Sequence, residues 1–303
     1  MAVYRSAANP FLQYFFQSDD FKRQIDEHLG ATINQITNGS LNSFVVSLPP
    51  APEQRVISAK LKDVDDLIVT LDRLIAKKQA IKQGMMQELL TGRTRLPGFS
   101  ADWNDIRLRE LGSFLKGRGV KRDDVRSTGV PCIRYGEIYT VFGDYADRTR
   151  SFVSPPIAAT ALPIRKGDVL FAGSGETKAE IGTSLAYIGE PDAVAGGDII
   201  VLRGAGFNPV FLASLLNSPA IAAQKARKGQ GDAVVHISST ALGDLALKIP
   251  SRDEQDAIAV VIQRADSELG VLGVRLDKAR AVKQGMMQQL LTGKIRLPVE
   301  AAS

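Results

Sequence analysis

Cysteine and histidine are nearly missing from this 303-residue chain, which has one of the first and two of the second. A lone Cys132 excludes an intrachain disulfide and a cysteine-built zinc cluster. Between Pro131 and Ile133 it reads as a small buried hydrophobe. His28 and His236 are far apart in sequence and neither sits in a ligand pattern, so no metal site is expected. His236, flanked by Val235 and Ile237, reads as a strand residue. No run of about 18 apolar residues occurs, so no membrane-spanning helix is expected. The opening Met1-Ala-Val-Tyr-Arg5 lacks the apolar core of a secretory signal, and a cytoplasmic location is expected. No Ser-His-Asp spacing stands out. What remains is an ordinary globular composition, 44% hydrophobic and 23% charged, long enough for about two domains. The net charge of +5 is compatible with a polyanionic partner without specifying one.

The chain does contain a long internal repeat. Lys82-Gln-Gly-Met-Met-Gln-Glu-Leu-Leu-Thr-Gly-Arg-Thr-Arg-Leu-Pro97 returns as Lys283-Gln-Gly-Met-Met-Gln-Gln-Leu-Leu-Thr-Gly-Lys-Ile-Arg-Leu-Pro298, with 13 of 16 positions identical at an offset of 201. Upstream of each block, apolar residues recur in steps of three and four, which is a coiled-coil seam. In the first copy the seam is Ile57, Leu61, Val64, Ile68, Leu71 and Ile75, resuming at Ile81, Met85 and Leu89. In the second it is Ile258, Ile262, Ala265, Leu269, Leu272 and Leu276, resuming at Val282, Met286 and Leu290. Gly92 and Gly293 end the helices, each followed by a proline. Each helix of about 39 residues spans roughly 58 Å and cannot bury a narrow apolar stripe alone. The other copy is the expected partner, in an antiparallel coiled coil.

The repeat extends further back. Ser47-Leu-Pro-Pro-Ala-Pro-Glu-Gln54 matches Lys248-Ile-Pro-Ser-Arg-Asp-Glu-Gln255, each a β-like run stopped by proline before a helix. Asn9-Pro-Phe-Leu12 matches Asn208-Pro-Val-Phe-Leu212. Between the copies, β-like runs at Val130 to Ile133, Val169 to Ala172, Leu185 to Ile188 and Ile199 to Leu202 alternate with Gly, Asp and Pro turns. The expected fold is therefore α+β: a globular lobe with two long helices and an internal repeat. Its segments are 1–50, 51–97, 98–250 and 251–298.

This order resembles the specificity subunit of type I restriction-modification systems. The resemblance is carried by Leu48-Pro-Pro-Ala-Pro-Glu-Gln-Arg55, by Leu89-Leu-Thr-Gly92 and Leu290-Leu-Thr-Gly293, and by Gly167-Asp-Val-Leu-Phe-Ala-Gly-Ser-Gly-Glu-Thr-Lys178 continuing to Ala195-Gly-Gly-Asp-Ile-Ile200. It implies that 98–250 is a complete target recognition domain, 51–97 and 251–298 the two conserved helical regions, and 1–50 the closing segment of a first recognition domain. The sequence departs from the family pattern in keeping only that final segment of the first domain, so Phe11, Phe15 and Phe16 are expected to lack part of their cover. The implied partners are double-stranded DNA, methyltransferase subunits and restriction-translocase subunits. S-adenosylmethionine, ATP and Mg are expected only on those partners. The chain has neither an Asn- or Asp-Pro-Pro-Tyr/Phe motif nor a glycine-rich S-adenosylmethionine loop, so no methylation by itself is expected. A second reading keeps only methyltransferase binding, or self-association into a homodimer, with altered or absent sequence choice.

DNA reading needs cations for phosphates and short polar groups for base edges. The first candidate loop, Lys116 to Arg122, offers Lys116, Arg118, Lys121 and Arg122 around glycines; its bland alternative is a solvated charged loop. The second offers Arg134, Tyr135 and Glu137, with Arg134 for guanine and Glu137 for a cytosine amino group, or the two simply paired with each other. The third offers Ser174, Glu176 and Lys178. Its glycines resemble a phosphate-binding loop, but the required Gly-Lys-Ser/Thr order is absent. Arg148, Arg150, Arg227, Lys228 and Gln230 are further phosphate candidates. On the helices, Lys77, Lys78, Lys82, Arg275, Lys278, Arg280 and Lys283 are either solvated flanks or a docking face.

Overall fold

A computed structural model describes residues 6–28 and 38–298; residues 29–37 of the first repeat module and the His28 side chain lie outside the described residues. The chain forms two compact units. One contains Met1–Ile81 and Asp266–Ser303, the other Lys82–Ala265. Each long helix, Ala51–Leu89 and Arg252–Leu290, contributes to both.

In the first unit the helical seam is antiparallel. Ile68, Leu71 and Ile75 pack with Leu272, Leu276 and Ala279, and Ile57 and Leu61 with Met287, Leu290 and Leu291. Interhelical ion pairs join Lys78 to Glu268 at 2.7 Å, Arg280 to Asp72 at 3.3 Å and Lys283 to Asp65 at 2.7 Å. These three cations are thus engaged within the coil. Two seam positions are corrected: Ile81 and Val282 are 54% and 53% exposed. A six-residue skip from Ile75 or Leu276 rotates about 600° around a helix, which lands off the stripe. The seam instead continues through Ala279 and Lys283, whose ammonium also lies 5.6 Å from the Tyr14 ring centre.

Helix Asn9–Phe15 covers the start of the first long helix, with Phe11, Leu12 and Tyr14 packed against Ile57 and Leu61, and helix Asp19–His28 follows it. Phe11 and Phe15 are buried, against expectation, and only Phe16 stays 42% exposed. Phe21 closes on Phe15 at 5.6 Å and on Phe16 at 4.9 Å between ring centres, and Phe44 closes on Phe21 at 5.0 Å. The 44–48 run forms no strand, whereas its counterpart Ala246–Ile249 pairs antiparallel with Asn104–Arg107.

In the second unit two sheets share a core. One is ordered Gly112–Lys116, Ile199–Gly204, Val169–Ala172, Ser184–Tyr187, Tyr145–Ala146; the other is Ser151–Val153, Val130–Ile133, Ala193–Ala195, Leu162–Ile164. The Val169–Ala172 strand is buried on both faces. Leu170 and Ala172 join a cluster with Ile133, Leu185 and Val201, while Val169 and Phe171 face Phe211 and Leu215 of helix Pro209–Leu216. Cys132 is fully buried in this unit, and burial pushes its thiol up to about 12.

The repeat reappears as matched contacts. Gln54 donates to the Pro49 carbonyl at 2.7 Å and Gln255 to Pro250 at 3.0 Å. Gln24 exchanges two hydrogen bonds with the Val45 backbone, and Gln224 two with Ala246. Gly92 and Gly293 both take left-handed φ, +69° and +70°, which a side chain would disfavour. In the second unit Arg95 grips buried Glu254 with two bonds of 2.6 Å. In the first, Arg296 grips buried Glu53, and that hydrogen bond holds the Glu53 carboxyl below its ordinary range. The two clasps use the same positions with the copies exchanged. Arg95→Ala strands Glu254 and is expected to lower the melting temperature well beyond Arg93→Ala, whose guanidinium stands 4.0 Å from half-exposed Glu88. Equal melting temperatures for the two variants would refute that role.

Candidate nucleic-acid interface

The first basic loop leaves the edge strand Gly112–Lys116, and its backbone is anchored where Gly117 donates to the Ile199 carbonyl at 2.7 Å. Lys116, Arg118, Lys121 and Arg122 are all exposed, and none has an ion-pair partner among the described residues. The same holds for Arg150, Lys178, Arg227 and Lys228, although Lys228 is half-buried. Arg148 stands 3.5 Å from Asp147 with both side chains exposed. Glu176 and Gln230 are exposed.

These loops are neighbours. Gly196 donates to the Ile133 carbonyl at 3.0 Å, and a side chain at Gly196 would press on Val120, so the first loop adjoins the Arg134 segment. Ser151, next to Arg150, donates its hydroxyl to Glu137. Tyr139, two residues beyond Glu137 on helix Tyr135–Thr140, donates to the Ser174 carbonyl at 3.0 Å. Gln230 and His236 then join the Ser174 strand through backbone pairing.

Two expected base contacts are corrected. Arg134 to Glu137 is not a loop but the capped start of helix Tyr135–Thr140. Glu137 is buried, accepting the Arg134 backbone N–H at 2.9 Å and the Ser151 hydroxyl, so its carboxylate faces inward. Arg134 folds back with a guanidinium nitrogen 3.5 Å from that carboxylate, while Tyr135 stays exposed. Ser174 is also buried, its hydroxyl 2.8 Å from His236 Nδ1. Among the described residues no group of three or more His, Cys, Asp or Glu is placed to hold a metal.

Residues 5–83 match the type I restriction modification DNA specificity domain. The chain is also 24% identical over 302 residues to the type I restriction enzyme MjaVIII specificity subunit of Methanocaldococcus jannaschii, covering 94% of this chain and 70% of that protein. The chain is thus similar to type I restriction enzyme specificity subunits. A second relative from the same organism, the putative type I restriction enzyme MjaX specificity subunit, is 25% identical over 94% of this chain and 67% of its own length. Among solved structures, the type I restriction-modification S subunit from M. genitalium aligns with a TM-score of 0.61 at 16% identity, over 93% of this chain and 72% of the other. A chain from a type I R-M system solved for its complex assembly and conformational transition aligns at 0.58 and 20% identity, over 94% and 71%. These two structures share the fold.

In this lobe the polar residue that the sequence left without a role is His236. Val235 and Ile237 on either side of it are buried and His236 is exposed. That period-two alternation was visible in the sequence and turns the imidazole outward.

Proposed function

We propose that this specificity subunit is a non-catalytic DNA reader. Residues 98–250 act as its recognition domain, and segments 51–97 and 251–298 as the helical platform on which methyltransferase and restriction-translocase subunits dock. The observation that carries the reading is the set of exposed, unpaired cations on adjoining glycine-spaced loops of the sheet lobe. Cations kept free of carboxylates lose nothing when they meet phosphates, and that contact releases counterions. On the platform, Leu67, Leu74, Val271 and Val274 are exposed apolar residues, suited to covering by partner helices. S-adenosylmethionine, ATP and Mg belong on the partner subunits, and the complex acts in the cytoplasm. No helix among the described residues is long and apolar enough to cross a membrane.

Lys121→Ala with Arg122→Ala is expected to weaken binding to all duplexes alike. The slope of log K against log salt should become shallower by about two. An unchanged slope, measured by anisotropy over a salt series, would remove the first loop from the interface.

A further inference from the structure

The two-residue strand Val235–His236 pairs antiparallel with Ser174–Gly175. On its other side His236 bridges Gln230 through backbone hydrogen bonds of 2.8 and 2.9 Å. Residues directly opposite one another on paired strands project from the same face. Ser174, His236 and Gln230 therefore form one row, running from a buried serine to an exposed imidazole and an exposed amide. The turn that brings Gln230 back to His236 is tight. Gly231 has φ +106°, and a Cβ there would lie 2.1 Å from the Val234 carbonyl oxygen.

Hydrogen-bond accounting fixes the ring. The Ser174 hydroxyl is 2.8 Å from His236 Nδ1 and has no other partner among the described residues. If Nδ1 carried the ring proton, the buried hydroxyl hydrogen would have no acceptor, a costly arrangement. The serine therefore donates to Nδ1 and the proton of the neutral imidazole sits on Nε2. Ser174 is in turn held by Tyr139, which donates to its carbonyl. The result is an oriented N–H donor on the exposed side of the row. Beside it stands the Gln230 amide, which offers both a donor and an acceptor and whose side chain has no partner among the described residues.

We propose that His236 and Gln230 read a base edge, with Nε2–H donating to a purine N7 in the major groove and Ser174 acting as the positioning residue. This rests on the DNA-reading function proposed above and adds to it a specificity determinant. A phosphate oxygen offers the same acceptor chemistry, and the test separates the two.

The full chain is used to select from a randomised duplex pool, wild type beside His236→Ala, His236→Gln and Ser174→Ala. For His236→Ala the expected result is a loss of preference confined to one or two adjacent positions, about tenfold or more against the wild-type base there. Affinity for an unrelated duplex should stay within about threefold, since phosphate contacts carry sequence-independent binding. His236→Gln, which keeps an outward donor, should retain part of the preference, and Ser174→Ala should weaken it at the same position. A 7-deazapurine at that position should reproduce the loss with the wild-type chain. An unchanged consensus overturns the proposal. So does an equal fall on every duplex, which marks a phosphate contact or a damaged fold. A wild-type chain that selects no consensus at all overturns the DNA-reading function itself.

Discussion

Lys225→Met is expected to make the protein more stable than wild type at neutral pH and to erase that advantage near pH 10. Lys225 is buried on helix Pro219–Lys228, and its ammonium donates to the Gly182 carbonyl at 2.6 Å. Burial lowers its pKa from 10.5 to about 7, with the charge of Asp144 opposing the shift. Below about pH 7 folded and unfolded chains both hold the proton, and the full cost of burying the charge is present. Between 7 and 10.5 only the unfolded chain holds it, so stability rises with pH by at most about 1.4 kcal/mol per unit. Above 10.5 both are neutral and the cost is gone. Methionine fills the same space without charge but leaves the Gly182 carbonyl unpaired, which takes back about 1–3 kcal/mol. A net gain of roughly 1–3 kcal/mol at pH 7 remains. Urea denaturation from pH 6 to 10 reads the difference between the two proteins. Parallel stability curves would show that the lysine is not buried in solution.

The second large effect is at Arg203, which closes on buried Asp168 with bonds of 2.9 and 2.6 Å and also donates to the Pro163 carbonyl at 2.9 Å. Asp168 accepts the Arg165 backbone N–H at 2.9 Å, so this carboxylate ties the Ile199–Gly204 strand to the turn before Val169. Arg203→Met leaves a carboxylate that is 2% exposed without its counter-ion. The expected loss is about 3 kcal/mol, at the low end for a buried pair because the guanidinium edge reaches solvent. Adding Asp168→Leu to Arg203→Met should recover most of it, since an apolar pair has no stranded charge. A double variant no more stable than the single one would place the loss in packing rather than charge.

The helices were legible because a 13-in-16 repeat and a three-four rhythm are long-range patterns that no single residue can spoil. The rhythm misled only at Ile81 and Val282, where an apolar residue beside the stripe stood in for the small or cationic residue on it. The four β-like runs correspond to the strands Val130–Ile133, Val169–Ala172, Ser184–Tyr187 and Ile199–Gly204, since apolar runs between Gly and Asp turns mark buried strands. The side of each loop residue was less legible. Glu137 and Ser174 look like exposed polar groups, but one caps a six-residue helix and the other braces a two-residue strand. Elements that short leave no periodicity in the sequence. The clasps needed three-dimensional pairing of distant positions, although the matched spacing of Glu53 with Arg95 and Glu254 with Arg296 was there to be compared.

The composition of the first unit bears on how the chain comes off the ribosome. Leu71 finds its cover on Leu272 and Leu276, and Ile57 and Leu61 share theirs between Phe11 and Leu12 nearby and Met287 and Leu290 more than 200 residues later. Lys82–Ala265 is contiguous and can condense while translation continues. The middle of the first long helix, from Ile68 to Ile75, must wait with its stripe bare until the second long helix has emerged. Nascent chains stalled before Asp266 should therefore recruit holdase chaperones to the first long helix, and completion of the second should release them.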